Sequence, residues 1–253
     1  GASLHLSDFL VDFQPSHLTA ATSSAQTASA IVQNNSWGFD EQYGAAGANV
    51  FVNYMNNNAV SGEQTLVHFQ GVDTDGDGYY DVGASTSQAT WSTSDWTNYV
   101  TALNNFQSQG VVVFALSNDD SKTDADISAA LPELFPQLQE AWITAANVNI
   151  AGGAGLNWDS KTFTLQSAPC GSTAEYCLAG DGYLITLPGS GTVSGNNLGS
   201  GNQTYYFTAG TSFVAPQISG AIAVLANHFP NHTPAQLVDR LLASANNDSN
   251  GAF

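Results

Sequence analysis

The stretch Val111-Val-Val-Phe-Ala-Leu116 decides the fold class together with the segment that precedes it. Residues 95–109 carry apolar side chains at helical spacing, and Gly110 ends that segment. These apolar residues are Trp96, Tyr99, Val100, Leu103 and Phe106. A continuous apolar run directly after an amphipathic helix indicates a strand that is buried on both faces, as in a parallel sheet.

The same alternation continues on both sides of this stretch. Apolar spacing predicts helices over residues 16–30, 47–58, 211–228 and 233–245, the last opened by Thr233-Pro234. It predicts strands over residues 4–6, 30–35, 66–69 and 141–148, with short strands and glycine-rich loops from 152 to 210. We therefore expect one α/β domain over residues 1–253, with three layers and a mostly parallel central sheet flanked by helices.

The charge composition excludes several classes of partner. The chain has 3 Lys+Arg against 21 Asp+Glu, a formal net charge of −18. Nucleic-acid binding and attachment to an anionic membrane both require clusters of basic residues, which this chain lacks. Its longest apolar window, residues 218–225, is too short to span a bilayer. Because acidic surroundings would neutralise the carboxylates, we hypothesise that the protein is suited to low pH.

The two cysteines, Cys170 and Cys177, lie in a turn-rich stretch. We interpret them as a short-range disulfide of an exported protein, and two reduced thiols are the alternative. The chain opens without a basic signal region and stops without a closing element, so we expect it to be a processed or excised piece, truncated at both ends.

The segment Asp73-Thr-Asp-Gly-Asp-Gly-Tyr-Tyr-Asp81 has the pattern of a calcium loop. Its candidate ligands are Asp73, Asp75, Asp77, the backbone carbonyl of Tyr79, and Asp81. Gly78 permits the sharp turn, but Ala84 stands where a complete EF-hand has a bidentate glutamate. We predict a structural Ca²⁺ of modest affinity, and a solvated acidic turn is the alternative.

The segment Gly210-Thr-Ser-Phe-Val-Ala-Pro216 places a serine at the start of a long apolar helix. There, unpaired backbone N–H groups and the helix dipole can stabilise an oxyanion. The alternative is that Ser212 only caps the helix.

Three segments together resemble the subtilisin-like serine peptidases, or subtilases. They are Ala209-Gly-Thr-Ser-Phe-Val-Ala-Pro-Gln-Ile-Ser-Gly-Ala221, Val111-Val-Val-Phe-Ala-Leu-Ser-Asn118 and Val32-Gln-Asn-Asn-Ser-Trp-Gly38, which occur in the family's order. The opening Ala2-Ser-Leu-His-Leu-Ser-Asp8 and the cysteine pair further resemble the subtilase passenger domains of bacterial autotransporters. The resemblance implies a subtilisin-like fold, a polypeptide substrate, and secretion or display on a bacterial surface.

The resemblance also implies roles for individual residues. Ser212 is expected to be the nucleophile and Asn118 an oxyanion donor. The expected substrate-binding residues lie in two segments: Ser36, Trp37 and Gly38, and Ala115, Leu116 and Ser117. Ser117 stands where the family usually has glycine, so the geometry of this loop can differ.

The family's catalytic aspartate and histidine segments are missing from this chain. The five histidines, His5, His17, His68, His228 and His232, lack the flanking glycine pattern of the family's base. Three explanations remain open: an N-terminal fragment of the same precursor supplies both residues, the protein is a pseudoenzyme, or another base has been recruited. We expect this chain alone to be inactive or poorly active, since a serine nucleophile needs a base.

Two other functions stay open. A non-catalytic secreted module could use the same fold for binding or surface presentation. An acid-active serine peptidase of the sedolisin type shares the fold and the Gly-Thr-Ser nucleophile but uses Glu and Asp. The acidic composition and Asp119 beside Asn118 point to it, whereas the Asn34-Asn-Ser-Trp-Gly38 segment and the cysteine pair favour a subtilase.

The calcium prediction is tested by calorimetric titration of the chelator-treated chain with Ca²⁺. We expect binding at pH 7.5, loss of binding near pH 4 as the carboxylates are protonated, and strong weakening by Asp75→Asn. Asp120→Asn, the same change outside the loop, is the control and should bind as the wild type does. Absence of heat near neutral pH would contradict the prediction.

Overall fold

The computed structural model of the chain describes residues 3–7, 15–38, 93–151, 161–186 and 206–245. The predicted helix over 47–58, the predicted strand over 66–69 and the calcium loop of residues 73–81 lie outside the described residues.

Four of the five described α-helices lie where the sequence predicts them, and the sequence does not predict the short helix over residues 131–134. The five helices are α1 (Pro15–Thr27), α2 (Thr93–Gln107), α3 (Leu131–Leu134), α4 (Thr211–His228) and α5 (Pro234–Ser244), with 3₁₀ turns at Pro136–Leu138 and Gly171–Tyr176. The bounds of α4 are those predicted. Thr233 caps α5 in a reciprocal capping box with Gln236, as the Thr-Pro opening indicates.

Parallel pairing dominates the main sheet of the described residues. The strands are β1 (Val32–Asn35), β2 (Val111–Ala115), β3 (Trp142–Ala151), β4 (Thr162–Leu165), β5 (Cys177–Gly180), β6 (Tyr183–Thr186) and β7 (Tyr206–Ala209). β1 pairs parallel with β2, β2 with β3, and β3 with β5, while β4 runs antiparallel to β3. β6 and β7 form a separate antiparallel pair.

Strand β2 is buried on both faces, as its apolar run predicts. Val112 and Phe114 face a core shared with α1 and α2, in which Phe114 stacks on Trp142 with ring centroids 5.0 Å apart. Val111, Val113 and Ala115 face a second core shared with α4 and α5. The sheet therefore lies between two helical layers, which confirms the three-layer α/β prediction.

Two local predictions are wrong. Residues 4–6 are not in a strand, because Leu4 and Leu6 are 86% and 84% exposed and residues 3–7 have no regular structure. Helix α2 begins at Thr93, two residues before the start that the apolar spacing predicts.

The disulfide prediction is confirmed. Cys170 and Cys177 are bonded, with their Cα atoms 5.8 Å apart, and they enclose the 3₁₀ turn Gly171–Tyr176 that leads into β5. Asp124 secures the same turn by accepting hydrogen bonds from the backbone N–H and the hydroxyl of Ser172.

Among the described acids, Asp126 has its carboxylate inside the fold. The residue is 1% exposed, and its burial raises the pKa of the carboxyl to about 7. The Oδ2 atom accepts a hydrogen bond from the N–H of Ser117, and Oδ1 accepts from those of Ser128 and Ala129. These three bonds favour the charged form but do not cancel the cost of burial.

The raised pKa of Asp126 predicts a loss of stability at high pH. The folded state binds this proton more tightly than the unfolded state, so its contribution is complete below about pH 4 and is lost as pH rises through about 7. In the presence of a chelator, the free energy of unfolding should therefore fall by a few kcal/mol between pH 4 and pH 8.

Denaturant unfolding of Asp126→Asn tests this assignment. The variant cannot ionise, so its stability should change less between pH 4 and pH 8 than that of the wild type, whatever its absolute value. Asp124→Asn is the matched control and should keep the wild-type pH dependence. An equal decline in Asp126→Asn and wild type would contradict the assignment.

Candidate active site

The segments that resemble the subtilase motifs come together around one cleft of about 330 Å³. It is formed where β1 and β2 end and α4 begins. The lining residues are Ser36, Trp37, Gly38, Ala115, Leu116, Ser117, Asn118, Thr211 and Ser212. All eight residues to which the sequence analysis gave catalytic or substrate-binding roles are in this set.

Thr211 fixes the side chain of Asn118 at the end of β2. The backbone N–H of Thr211 donates to Asn118 Oδ1 at 2.9 Å, so the amide oxygen faces the start of α4. The Thr211 hydroxyl lies 2.6 Å from Leu116 O and 3.0 Å from Asn118 Oδ1. With Oδ1 occupied, the Nδ2 group of Asn118 keeps its two hydrogens for other acceptors.

Ser36 and Ser212 exchange hydrogen bonds across the cleft. The Ser212 hydroxyl donates to Ser36 O at 3.3 Å, and the Ser36 hydroxyl donates to Ser212 O at 3.1 Å. The second bond is possible because Pro216, four residues after Ser212, has no N–H to donate to that carbonyl. Pro216 thus leaves the carbonyl oxygen of Ser212 without a partner inside the helix, and the Ser36 hydroxyl donates to it.

Ser212 does not cap its helix. The N-cap is Gly210, which has no side chain, and Ser212 is the second residue of α4. Its hydroxyl faces Ser36 rather than the free N–H groups of the first turn. The capping alternative is therefore wrong.

Asn34 extends the contact between β1 and α4. Its Nδ2 donates to the Ser36 hydroxyl at 2.9 Å, and its Oδ1 accepts from the Ser219 hydroxyl at 3.3 Å. A chain of hydrogen bonds therefore runs from the third turn of α4 through Asn34 and Ser36 to the carbonyl of Ser212.

The two segments that form the walls of the cleft contact the same buried carboxylate, that of Asp126. One wall contacts it through the N–H of Ser117, 2.9 Å from Oδ2. On the other wall, a Cβ atom added to Gly38 would lie 3.0 Å from Oδ1. A side chain at position 38 would press on that carboxylate, which would have to shift by a few tenths of an ångström, so glycine favours this close approach.

Within the part of the chain that the structure describes, neither acids nor histidines line the cleft. The Asp119 carboxylate accepts hydrogen bonds from the N–H and hydroxyl of Ser121, which lower the pKa of Asp119. Among the described residues, no histidine lines the cleft, and His228 and His232 pack against Phe229. His68 lies outside the described residues.

Sequence reasoning missed the parts played by Thr211, Pro216 and Asp126. Thr211 and Pro216 lie inside the quoted motif, and their positions on either side of Ser212 were the available signal. Asp126 has no signal in the sequence, because its neighbours Ser117 and Gly38 are brought to it by the tertiary fold.

Two relatives each match about half of this chain. Serotype-specific antigen 1 of Mannheimia haemolytica is 32% identical over 140 residues, which is 54% of this chain. Extracellular serine protease of Serratia marcescens is 25% identical over 139 residues, which is 50% of this chain. The matches cover only 13% and 12% of the lengths of these two relatives.

Solved structures share the fold over almost the whole chain. The prenylagaramide maturation protease PagA covers all of it with a TM-score of 0.52 and 15% identity, and the match spans 63% of PagA. The nisin leader peptidase NisP of Lactococcus lactis covers 94% of the chain with a TM-score of 0.51 and 17% identity, and the match spans 59% of NisP. At these identities the likeness concerns the fold alone.

The sequence model of the subtilase family matches residues 12–253. This span includes the three quoted motifs and every residue of the cleft. With the α/β fold and the shared architecture of solved proteases, it shows that this chain belongs to the subtilase family.

Proposed function

We propose that this chain is the nucleophile-bearing part of a secreted serine endopeptidase that hydrolyses polypeptides. The observation that carries the proposal is the hydrogen bonding of Thr211 to Asn118 Oδ1, which leaves Nδ2 free to donate beside Ser212. A serine hydroxyl and a fixed amide donor in one cleft are two of the groups that acyl transfer requires.

In the proposed reaction, the Ser212 Oγ attacks the carbonyl carbon of the scissile peptide bond. Its proton passes to a histidine base, which we expect upstream of residue 1 together with its aspartate. Asn118 Nδ2 donates to the oxygen that becomes negatively charged. The base then protonates the leaving amine, and water releases the acyl group from Ser212 by the same steps.

In this proposal Ser36 also holds the backbone of Ser212 in position during the reaction. In the structure, the Ser212 hydroxyl donates to Ser36 O. When the hydroxyl turns to a histidine, the bond from Ser36 Oγ to Ser212 O still holds the backbone of the nucleophile in place. Substrate would lie extended along residues 36–38, which follow β1.

We further propose export and a structural calcium ion. A protease named as extracellular among the relatives and the disulfide support export, because disulfides persist in oxidising compartments. Among the described residues, no helix has the length and apolarity to cross a membrane. The calcium proposal continues to rest on the sequence of residues 73–81.

A non-catalytic binding module is the second candidate. It is favoured by the absence of a histidine from the cleft lining among the described residues and by the bond from Ser212 to Ser36. The two candidates differ in one measurable property, the reactivity of Ser212 in the full-length product of the encoding gene.

Labelling with a fluorophosphonate, which reacts with activated serines, tests the main proposal. The full-length product should label and cleave peptides, and Ser212→Ala should lose both properties because the attacking oxygen is gone. Ser244→Ala, a matched change on α5, should retain them. An unlabelled full-length product would favour the binding module. Activity of a histidine-based enzyme should fall below about pH 6, whereas a sedolisin-type enzyme would stay active there.

If Thr211 acts by positioning Asn118, its substitution should slow catalysis only while the Asn118 side chain is present. Asn118→Ala should lower kcat about 10²–10³-fold with little change in KM, the loss caused by removing one oxyanion donor in subtilisin. Thr211→Val should also lower kcat, because the hydroxyl contacts to Leu116 O and Asn118 Oδ1 are lost, and Thr211→Ser should restore it.

A double variant separates positioning from general damage. In the Asn118→Ala background, Thr211→Val should cost much less than it does alone, since the side chain that it positions is already absent. Additive losses would show that Thr211 does not act through Asn118.

A further inference from the structure

We propose that the buried carboxylate of Asp126 makes the cleft selective for a cationic side chain, Lys or Arg, at the substrate residue that precedes the scissile bond. This inference rests on the proposed function, because it assigns a substrate class to the same cleft. It is carried by the close approach of the Asp126 carboxylate to backbone atoms of both walls of that cleft.

The Asp126 carboxylate lies close to backbone atoms of both walls of the cleft. The Ser117 N–H, which belongs to one wall, lies 2.9 Å from Asp126 Oδ2. Gly38 belongs to the other wall, and a Cβ atom added to it would lie 3.0 Å from Asp126 Oδ1. The carboxylate therefore lies directly behind the backbone of both walls, so its negative charge acts on a side chain that binds between them.

None of the lysines and arginines of the chain is paired with this carboxylate. The chain has 3 Lys+Arg, and all lie among the described residues, as Lys122, Lys161 and Arg240. Lys122 pairs with Asp119 at 3.9 Å, and Arg240 lies over the Phe229 ring at 4.0 Å. The groups that act on the ionisation of Asp126 are hydrogen-bond donors, with no charged partner among them.

A substrate ammonium or guanidinium would supply the missing charge. Opposite charges attract more strongly behind a wall of protein than in water, because the effective dielectric constant there is lower. Since Asp126 is 1% exposed, salt screens this attraction little. A neutral side chain of the same length leaves the buried charge uncompensated, so it gains less on binding.

Matched substrates test the proposal in the full-length gene product. N-capped Ala-Ala-Xaa peptides with a fluorogenic amide leaving group carry Lys or norleucine at Xaa, and these differ only by the ammonium group. At pH 8, where Asp126 is ionised, we expect kcat/KM for Lys to exceed that for norleucine on the order of tenfold or more. A Glu peptide should be the poorest of the three.

Variants assign the preference to Asp126. Asp126→Asn should bring the Lys-to-norleucine ratio close to one, and the ratio cancels any general loss of activity. Asp126→Ser is the second variant, in case the asparagine amide, which faces three N–H donors, prevents folding. Asp124→Asn removes the same charge two residues away and should keep the wild-type ratio.

The outcomes separate this inference from the proposed function. If no peptide is cleaved and Ser212 is not labelled, the proposed function fails. If cleavage occurs with norleucine equal to or better than Lys, this inference is overturned while the function stands. A Lys preference that persists in both Asp126 variants also overturns it.

Discussion

The arrangement of the cleft depends on the hydrogen bonds that Thr211 makes to the end of β2. Through its hydroxyl and its N–H, this residue joins Leu116 O and Asn118 Oδ1 to the first turn of α4. Thr211 is 1% exposed, so these bonds are shielded from water. They hold the end of β2 against the start of α4, which carries Ser212, and they orient the side-chain amide of Asn118.

The start of α4 is built around tertiary partners instead of a side-chain cap. Gly210 offers no side chain, and Pro216 cannot bond to the carbonyl of Ser212. A helix start with an open acceptor is costly unless another group satisfies it. Ser36, at the end of β1, does so, and in turn accepts from the Ser212 hydroxyl. The carbonyl that has no partner within α4 is therefore hydrogen-bonded by a residue at the end of β1.

Among the described residues, the excess of acidic over basic side chains includes one buried carboxylate, that of Asp126, which has no cationic partner. Most acids of such a chain can remain in water, but this carboxylate is buried, and backbone N–H groups rather than cations surround it. A buried charge without a counter-ion lowers stability, and such costs are often found at functional sites. Its position under both walls of the cleft links the composition of the chain to the substrate that we propose.

The sequence by itself determined the α/β class, the buried strand over residues 111–115 and the full extent of α4, since apolar periodicity and turn residues are local properties. Its motifs also identified the residues around the cleft. It failed at residues 4–6, where strand-like composition has no pairing to support it. Only the tertiary structure decided that Thr211 orients Asn118, that Ser36 completes the backbone opened by Pro216, and that Asp126 lies beneath Gly38 and Ser117. Thr211–Asn118 and Ser36–Ser212 join residues 93 and 176 positions apart, and no local pattern records which polar groups such folding brings together.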